Sequence, residues 1–242
     1  MDLILFTRQL ATLPNVVAVV LGGSRATGRH RPDSDWDLGI YYRGAFDAAH
    51  IRALGYEGMV VDPGEWGRLV NGGAWLEIDG ERVDLLYRDI DFVSHWIDET
   101  EAGRFEIDRV FGYVAGMPTY VLVGELALCK VLEGSFPRPS FPDTLKRSAP
   151  PQWRSLRDFS LEVAKSRVGT LDVTMFLGLC STAVLAEAHA RLAQRGVWAL
   201  NEKELVDRAG LQAAHTILTS LDGSPKSMRT CVDRLTSTLG RE

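Results

Sequence analysis

A chain of 242 residues, 45% hydrophobic and 24% charged, has the composition of a folded globular protein and the length for one large core or two smaller ones, which excludes disorder over most of its extent. A formal net charge of −5 and a pI near 5.6 argue against long nucleic acid as the main partner, because a basic surface supplies most of that affinity. Cys129, Cys180 and Cys231 show no C-x-x-C spacing, which excludes a disulfide framework or a zinc site of the usual kind.

In chain order, residues 2–13 place Leu3, Phe6, Leu10 and Leu13 at helical spacing, and Pro14-Asn15 ends that helix. Val16 to Leu21 is a β-branched run that reads as a buried strand, closed by a tight turn at Gly22-Gly23-Ser24. Asp35 to Tyr41 predicts a second strand, residues 45–54 a weaker helix, and residues 59–61 another strand. Trp75–Ile78 and Arg82–Tyr87 flank Asp79-Gly80, the signature of a two-residue hairpin loop. Trp66 and the Gly72-Gly73-Ala74-Trp75 run could line a ligand pocket, but a loop with ordinary core aromatics is the favoured reading.

The second half predicts helices over 118–133, 153–168, 171–195, 201–209 and 225–238, with a proline-rich loop over 134–151. These readings divide the chain at residue 115 into a mixed α/β domain (1–115) and a helical bundle (116–242). The first part is acidic, with 19 Asp and Glu against 11 Lys and Arg. Lys130 is the first lysine, so any lysine that meets a ligand comes from the second half. The start has no basic segment followed by an apolar one, and no apolar run reaches the length of a membrane span, so a cytoplasmic protein without a membrane partner is expected.

Chemistry concentrates in Gly22-Gly23-Ser24-Arg25-Ala26-Thr27-Gly28 and in Asp33-Ser34-Asp35-Trp36-Asp37-Leu38. Asp35 and Asp37, two apart on a strand, share a face, and at roughly 6 Å they repel by about 3 kcal/mol at an effective dielectric near 20. Asp84 sits mid-strand among apolar residues and makes a third acid. Oxygen ligands of this kind suit Mg2+ or Mn2+, and a pair of such ions serves in-line displacement at phosphorus. The glycine turn running into a short helix exposes N–H groups to phosphate, and the Ser24 hydroxyl adds a hydrogen bond. No Walker A lysine motif is present. Asp33 and Ser34 read as turn formers, Arg29 and Arg31 as loop charges, and the five histidines as structural.

The pattern G-S-x-x-x-G followed by D-S-D-x-D-L, carried here by Gly23, Ser24, Gly28, Asp33, Ser34, Asp35, Asp37 and Leu38 with the later Asp84, resembles the polymerase-β-type nucleotidyltransferase superfamily. A helical second half, and the segment Trp198 to Lys203, resemble the aminoglycoside and lincosamide nucleotidyltransferases. The resemblance implies a mixed twisted sheet flanked by helices. It implies that Asp35, Asp37 and Asp84 hold two magnesium ions, with Asp84 also taking the acceptor proton. Gly23 and Ser24 would hold the β- and γ-phosphates of the triphosphate, ATP being expected; from their own positions, Arg25 after the turn either touches phosphate or salt-bridges Asp33, and Lys203 is either a triphosphate contact, since the first domain has no lysine, or an exposed helix charge. The expected reaction is transfer of a nucleoside monophosphate to a hydroxyl of a small acceptor such as an aminoglycoside-like antibiotic. Glu133, Glu162 and Glu187 are alternative bases. The alternative functions are an antitoxin modifying a protein partner, a non-catalytic nucleotide-binding protein, and a transfer-RNA end-adding enzyme, which the negative charge disfavours.

Overall fold

The computed structural model describes residues 2–136, 138–170 and 172–240. The chain begins with α1 (Leu3–Ala11), β1 (Val16–Leu21), α2 (Gly23–Ala26), β2 (Trp36–Tyr42), α3 (Ala49–Arg52), β3 (Glu57–Val60), α4 (Gly67–Val70), β4 (Gly73–Ile78), β5 (Glu81–Asp89) and α5 (Ile90–Glu101). It continues with β6 (Ile107–Asp108), β7 (Met117–Pro118), α6 (Val121–Leu128) and β8 (Lys130–Glu133), and ends in α7 (Asp143–Arg167), α8 (Val173–Gln194), α9 (Leu205–Arg208), α10 (Ala213–Thr219) and α11 (Pro225–Leu239).

These elements form two compact units that interleave in sequence. The first comprises Met1–Asp98 and Leu122–Ser140, the second Glu99–Val121 and Phe141–Glu242, where composition pointed to one division near residue 115. The first unit is a six-stranded sheet in the order β3-β4-β5-β2-β1-β8. It is mixed: β2 and β5 run parallel, and the other neighbours run antiparallel. The predicted hairpin is present, with Ile78 opposite Glu81 and both loop residues, Asp79 and Gly80, at positive φ. One face of the sheet carries Val19, Leu21, Leu38, Ile40, Leu85 and Tyr87, which pack with Phe6 and Leu10 of α1. The other face is covered over part of its length. There Tyr41 meets the ring of Phe136 at 4.7 Å, and Arg88 donates two bonds of 2.7 and 2.8 Å to the Glu125 carboxylate on α6.

The structure corrects the sequence reading in four places. Residues 118–133 are not one helix: α6 stops at Leu128, and Lys130–Glu133 pairs with β1, giving that strand a second partner instead of an open edge. Residues 134–151 are not a loop throughout, because α7 starts at Asp143 and carries Pro150 and Pro151 inside it. Two prolines forfeit two helical N–H donors. Burial of Leu145, Ala149 and Trp153 at four-residue spacing outweighs that local cost. The helix over 45–54 shrinks to Ala49–Arg52. Finally, α8 is long and apolar enough to cross a membrane by length and composition. Half of its most apolar stretch is buried within the second unit, and Phe176, Cys180, Ala183 and Val184 lie in that unit's core.

The second unit is mostly helical, with the small β6–β7 pair added. Its buried charge is concentrated on Glu187 of α8, whose carboxylate lies 2.7 Å from Arg157, 3.0 Å from Arg191 and 3.5 Å from Arg154.

Candidate functional site

The three expected acids all belong to the first unit. Asp37 on β2 stands directly opposite Asp84 on β5, in register. Paired residues of parallel strands project to one face, at a strand spacing of roughly 4.8 Å. Asp35 precedes β2 by one residue and lies on that same face, with Arg82 of β5 beside it. The intervening Trp36 and Val83 point the other way; Val83 is fully buried. The same row extends onto β4, where Trp75 is opposite Asp84 and Glu77 is opposite Arg82. Together Asp35, Arg82, Asp84, Trp75, Glu77 and Glu57 line an open cleft of about 530 Å³.

The glycine turn is fitted to this cluster. Gly22 N–H donates to the Asp37 carbonyl at 2.7 Å, so the strand end and the turn are one hydrogen-bonded piece. Gly23 has φ +59°, and a Cβ at this position would overlap Asp37 Oδ2. Glycine is required twice over, by its backbone conformation and by contact with the carboxylate. Ser24 is half-buried on α2, the four-residue helix that follows.

The remaining expected residues have other surroundings. Arg25 Nη2 donates to the Ser34 carbonyl at 2.6 Å, and its Nε to the Ser34 and Asp35 carbonyls at 3.2 and 3.1 Å. Its guanidinium also lies 4.0 Å from the centre of the Trp36 ring. The side chain expected at the phosphates is thus engaged in fixing the loop that leads into β2. Arg31 N–H donates to Ser34 Oγ at 2.9 Å, so Ser34 does form the turn. Lys203 belongs to the second unit, is exposed, and lies in a turn before α9. The neighbouring Glu202 organises this region: its carboxylate accepts from Val114 and Ala115 N–H at 2.6 and 2.8 Å. Burial raises the pKa of Glu202, and these backbone bonds oppose that shift.

Of the alternative bases, Glu187 is buried and held by three arginines, which leaves it no proton-accepting role toward a ligand. Glu162 pairs with Lys165 at 3.6 Å on the second unit, and Glu133 lies on β8, 3.9 Å from Arg8.

Two residues of the cleft stand apart from the favoured sequence reading, Trp75 against it and Arg82 outside it. Trp75, read by preference as a core aromatic, is 51% exposed and packs on Trp66 at 4.9 Å between centroids with the rings tilted by 31°. Arg82 reaches Asp35 Oδ1 with Nε at 2.7 Å, an ion pair outside hydrogen-bond geometry, and donates from Nη2 to the Asp33 carbonyl at 3.2 Å. Period-two exposure of the 73–78 strand signals the first; the second has no local signal.

The donor set fits a hard divalent cation in chemistry, since every side chain offered is a carboxylate. Asp37 and Asp84 are already adjacent, and Asp35 is turned to Arg82. Among the described residues no three His, Cys, Asp or Glu side chains are gathered tightly enough to enclose an ion as they stand.

The family of nucleotidyltransferase domains matches residues 3–104. No curated protein sequence matches the chain. Solved structures that align include a nucleotidyltransferase-like protein from Exiguobacterium sibiricum, at 11% identity and TM-score 0.47 over 97% of this chain and 72% of that one. A spectinomycin adenyltransferase AAD(9) from Enterococcus faecialis, solved with ATP and spectinomycin, aligns at 12% identity and TM-score 0.31, covering 97% and 95% of the two chains. The CdnE cyclic dinucleotide synthase of Elizabethkingia meningoseptica aligns at 10% identity and TM-score 0.25, covering 98% and 90%.

Proposed function

We propose, from the premise that residues 3–104 are a nucleotidyltransferase domain and the chain therefore a transferase, that it moves a nucleoside monophosphate from a magnesium-bound triphosphate, ATP first, onto a hydroxyl of a small acceptor, releasing pyrophosphate. The carrying observation is Asp37 opposite Asp84 on parallel neighbouring strands, with the Gly22-Gly23 turn bonded to the Asp37 backbone. Two carboxylates brought to one face of neighbouring strands are the oxygen ligands that a hard divalent ion takes.

Asp35, Asp37 and Asp84 would hold the ions, which supply charge stabilisation at the phosphoryl oxygens when bound. The chain's own part is positioning. The Gly23-Ser24 turn sets the phosphates beside the acids, and Asp84, on the strand next to β4, is placed to take the acceptor hydroxyl's proton. Exposed Trp75 with Glu57 and Glu77 makes the acceptor side apolar at its centre and anionic at its rim, which suits a cationic, hydroxyl-bearing molecule such as an aminoglycoside-like antibiotic.

The test is pyrophosphate release from each of the four nucleoside triphosphates with Mg2+ against a panel of hydroxylated, amine-bearing antibiotics. Acceptor-dependent release is expected, and Asp37→Ala is expected to lower it by at least about a thousandfold. Release that survives in Asp37→Ala would remove the acid pair from the mechanism. Triphosphate binding without release to any acceptor of the panel would favour the protein-modifying reading instead.

A further inference from the structure

The acid cleft contains its own cation. Among the described residues that line it, Arg82 is the one base against the carboxylates Asp35, Asp84, Glu57 and Glu77. Arg82 is one residue from the hairpin turn and two before Asp84 on β5, so it shares the acids' face and stands beside Asp35 across the β2–β5 pair. Its guanidinium is held at two points, Asp35 Oδ1 at 2.7 Å and the Asp33 carbonyl at 3.2 Å. The other arginine nearby, Arg25, is stacked on Trp36 and bound to loop carbonyls. The first 129 residues contain no lysine. Arg82 is thus the exposed positive charge of the cleft, with a side chain 69% exposed.

We propose that Arg82 is a built-in counter-ion that holds Asp35 in the absence of divalent metal, yields it to the metal, and then turns to the triphosphate. The inference rests on the nucleotidyltransferase reading of Asp35 and Asp37. The guanidinium at Asp35 Oδ1 repels a divalent ion brought to the same carboxylate, so the two cations compete for Asp35. Metal arriving alone therefore weakens the hold of Asp35 on Arg82 with no anion to compensate it. Metal arriving with a triphosphate brings the anion that Arg82 can then bind, in the planar two-point geometry arginine favours with phosphate. Metal and nucleotide consequently bind with positive coupling, and Arg82 is where that coupling resides. Arg82 has two roles in this scheme, holding Asp35 before metal binds and contacting the triphosphate afterwards.

The test measures Mn2+ binding to the full chain by electron paramagnetic resonance, with and without a triphosphate analogue methylene-bridged between the α- and β-phosphates. Exposed ion pairs are weak, so Arg82→Gln is expected to bind Mn2+ alone about three- to tenfold more tightly than the unsubstituted chain. The factor by which the analogue improves Mn2+ binding should fall by a similar amount. Arg82→Lys, which keeps the charge, should stay close to the unsubstituted chain in the absence of analogue. In an Asp35→Ala background Arg82→Gln should have no effect on Mn2+. Unchanged or weaker Mn2+ binding in Arg82→Gln overturns the proposal and leaves the metal site standing. No Mn2+ binding in either protein, even with the analogue, overturns the nucleotidyltransferase metal site and this proposal with it.

Discussion

Gly23 shows how much a single position can decide. Its φ of +59° costs a residue with a Cβ roughly 1–2 kcal/mol, and the Cβ itself would occupy the space of Asp37 Oδ2. Gly23→Ala is expected to leave the sheet folded, lower the urea midpoint modestly, and cut acceptor-dependent pyrophosphate release by about a hundredfold or more through displacement of the carboxylate. A variant with ordinary release would show that the Asp37 oxygen need not stand where it does. At this scale the sequence was informative for local patterns: Asp35 and Asp37 by their spacing, Gly23 by its turn. It was not informative where the partner is distant. Arg82 finds Asp33 and Asp35 almost fifty residues upstream, and nothing near Arg82 marks it. Arg25 illustrates the converse. Adjacency to the glycine turn pointed to phosphate, but the loop carbonyls that receive its guanidinium return nine and ten residues later.

Helices and strands were legible where periodicity was clean and misread where tertiary packing overrode it. The β1 run, the hairpin and α8 follow from their patterns. The proline pair in α7 and the break between α6 and β8 do not, because each is decided by what lies across the fold. Packing of α7 against α8 also creates a titrating contact. His189 of α8 is buried and stacks on Trp153 of α7 with centroids 4.3 Å apart and planes within 8°, and neither ring nitrogen has a hydrogen-bond partner among the described residues. Burial, with a smaller contribution from Arg208, lowers its pKa to about 3. A folded-state pKa below the unfolded value near 6.5 means that the neutral ring belongs to the folded protein. The associated stability is complete above pH 6.5 and is lost as pH falls from there toward 3, at up to about 1.4 kcal/mol per pH unit. The raised pKa of Glu202, 4.0 Å from His189 Nε2, acts in the opposite sense. Urea midpoints at pH 7 and pH 5 should therefore drop for the unsubstituted chain and drop less for His189→Phe, which keeps the stack. Equal drops would assign the acid sensitivity elsewhere.

Across the whole molecule, the order of elements along the chain does not follow the order of the two units. Residues 99–121 leave the first unit for the second, and Leu122–Ser140 return to supply β8 and Glu125. A fragment ending at residue 115 would expose β1 as an open edge and leave the buried guanidinium of Arg88 without its carboxylate, a loss of about 3–5 kcal/mol. Amide spectra should be poorly dispersed for residues 1–115 and well dispersed over the sheet for residues 1–140. Good dispersion in the shorter fragment would show that β8 and Glu125 are dispensable. Composition could not reveal this return, since the acidic and basic halves do change near residue 115 and only the pairing of Lys130–Glu133 with β1 places the segment in the sheet.

The interleaving also constrains how such a protein can be recombined. A chimera made by one crossover at residue 115 would inherit its sixth strand, and the carboxylate facing Arg88, from the other parent. Exchanging the helical unit while keeping the six-stranded sheet intact takes three junctions, near residues 98, 121 and 140, so that 122–140 stays with its own parent. Gene shuffling that draws its breakpoints from the composition profile would produce mismatched sheets, whereas breakpoints at these joints would trade one helical unit for another.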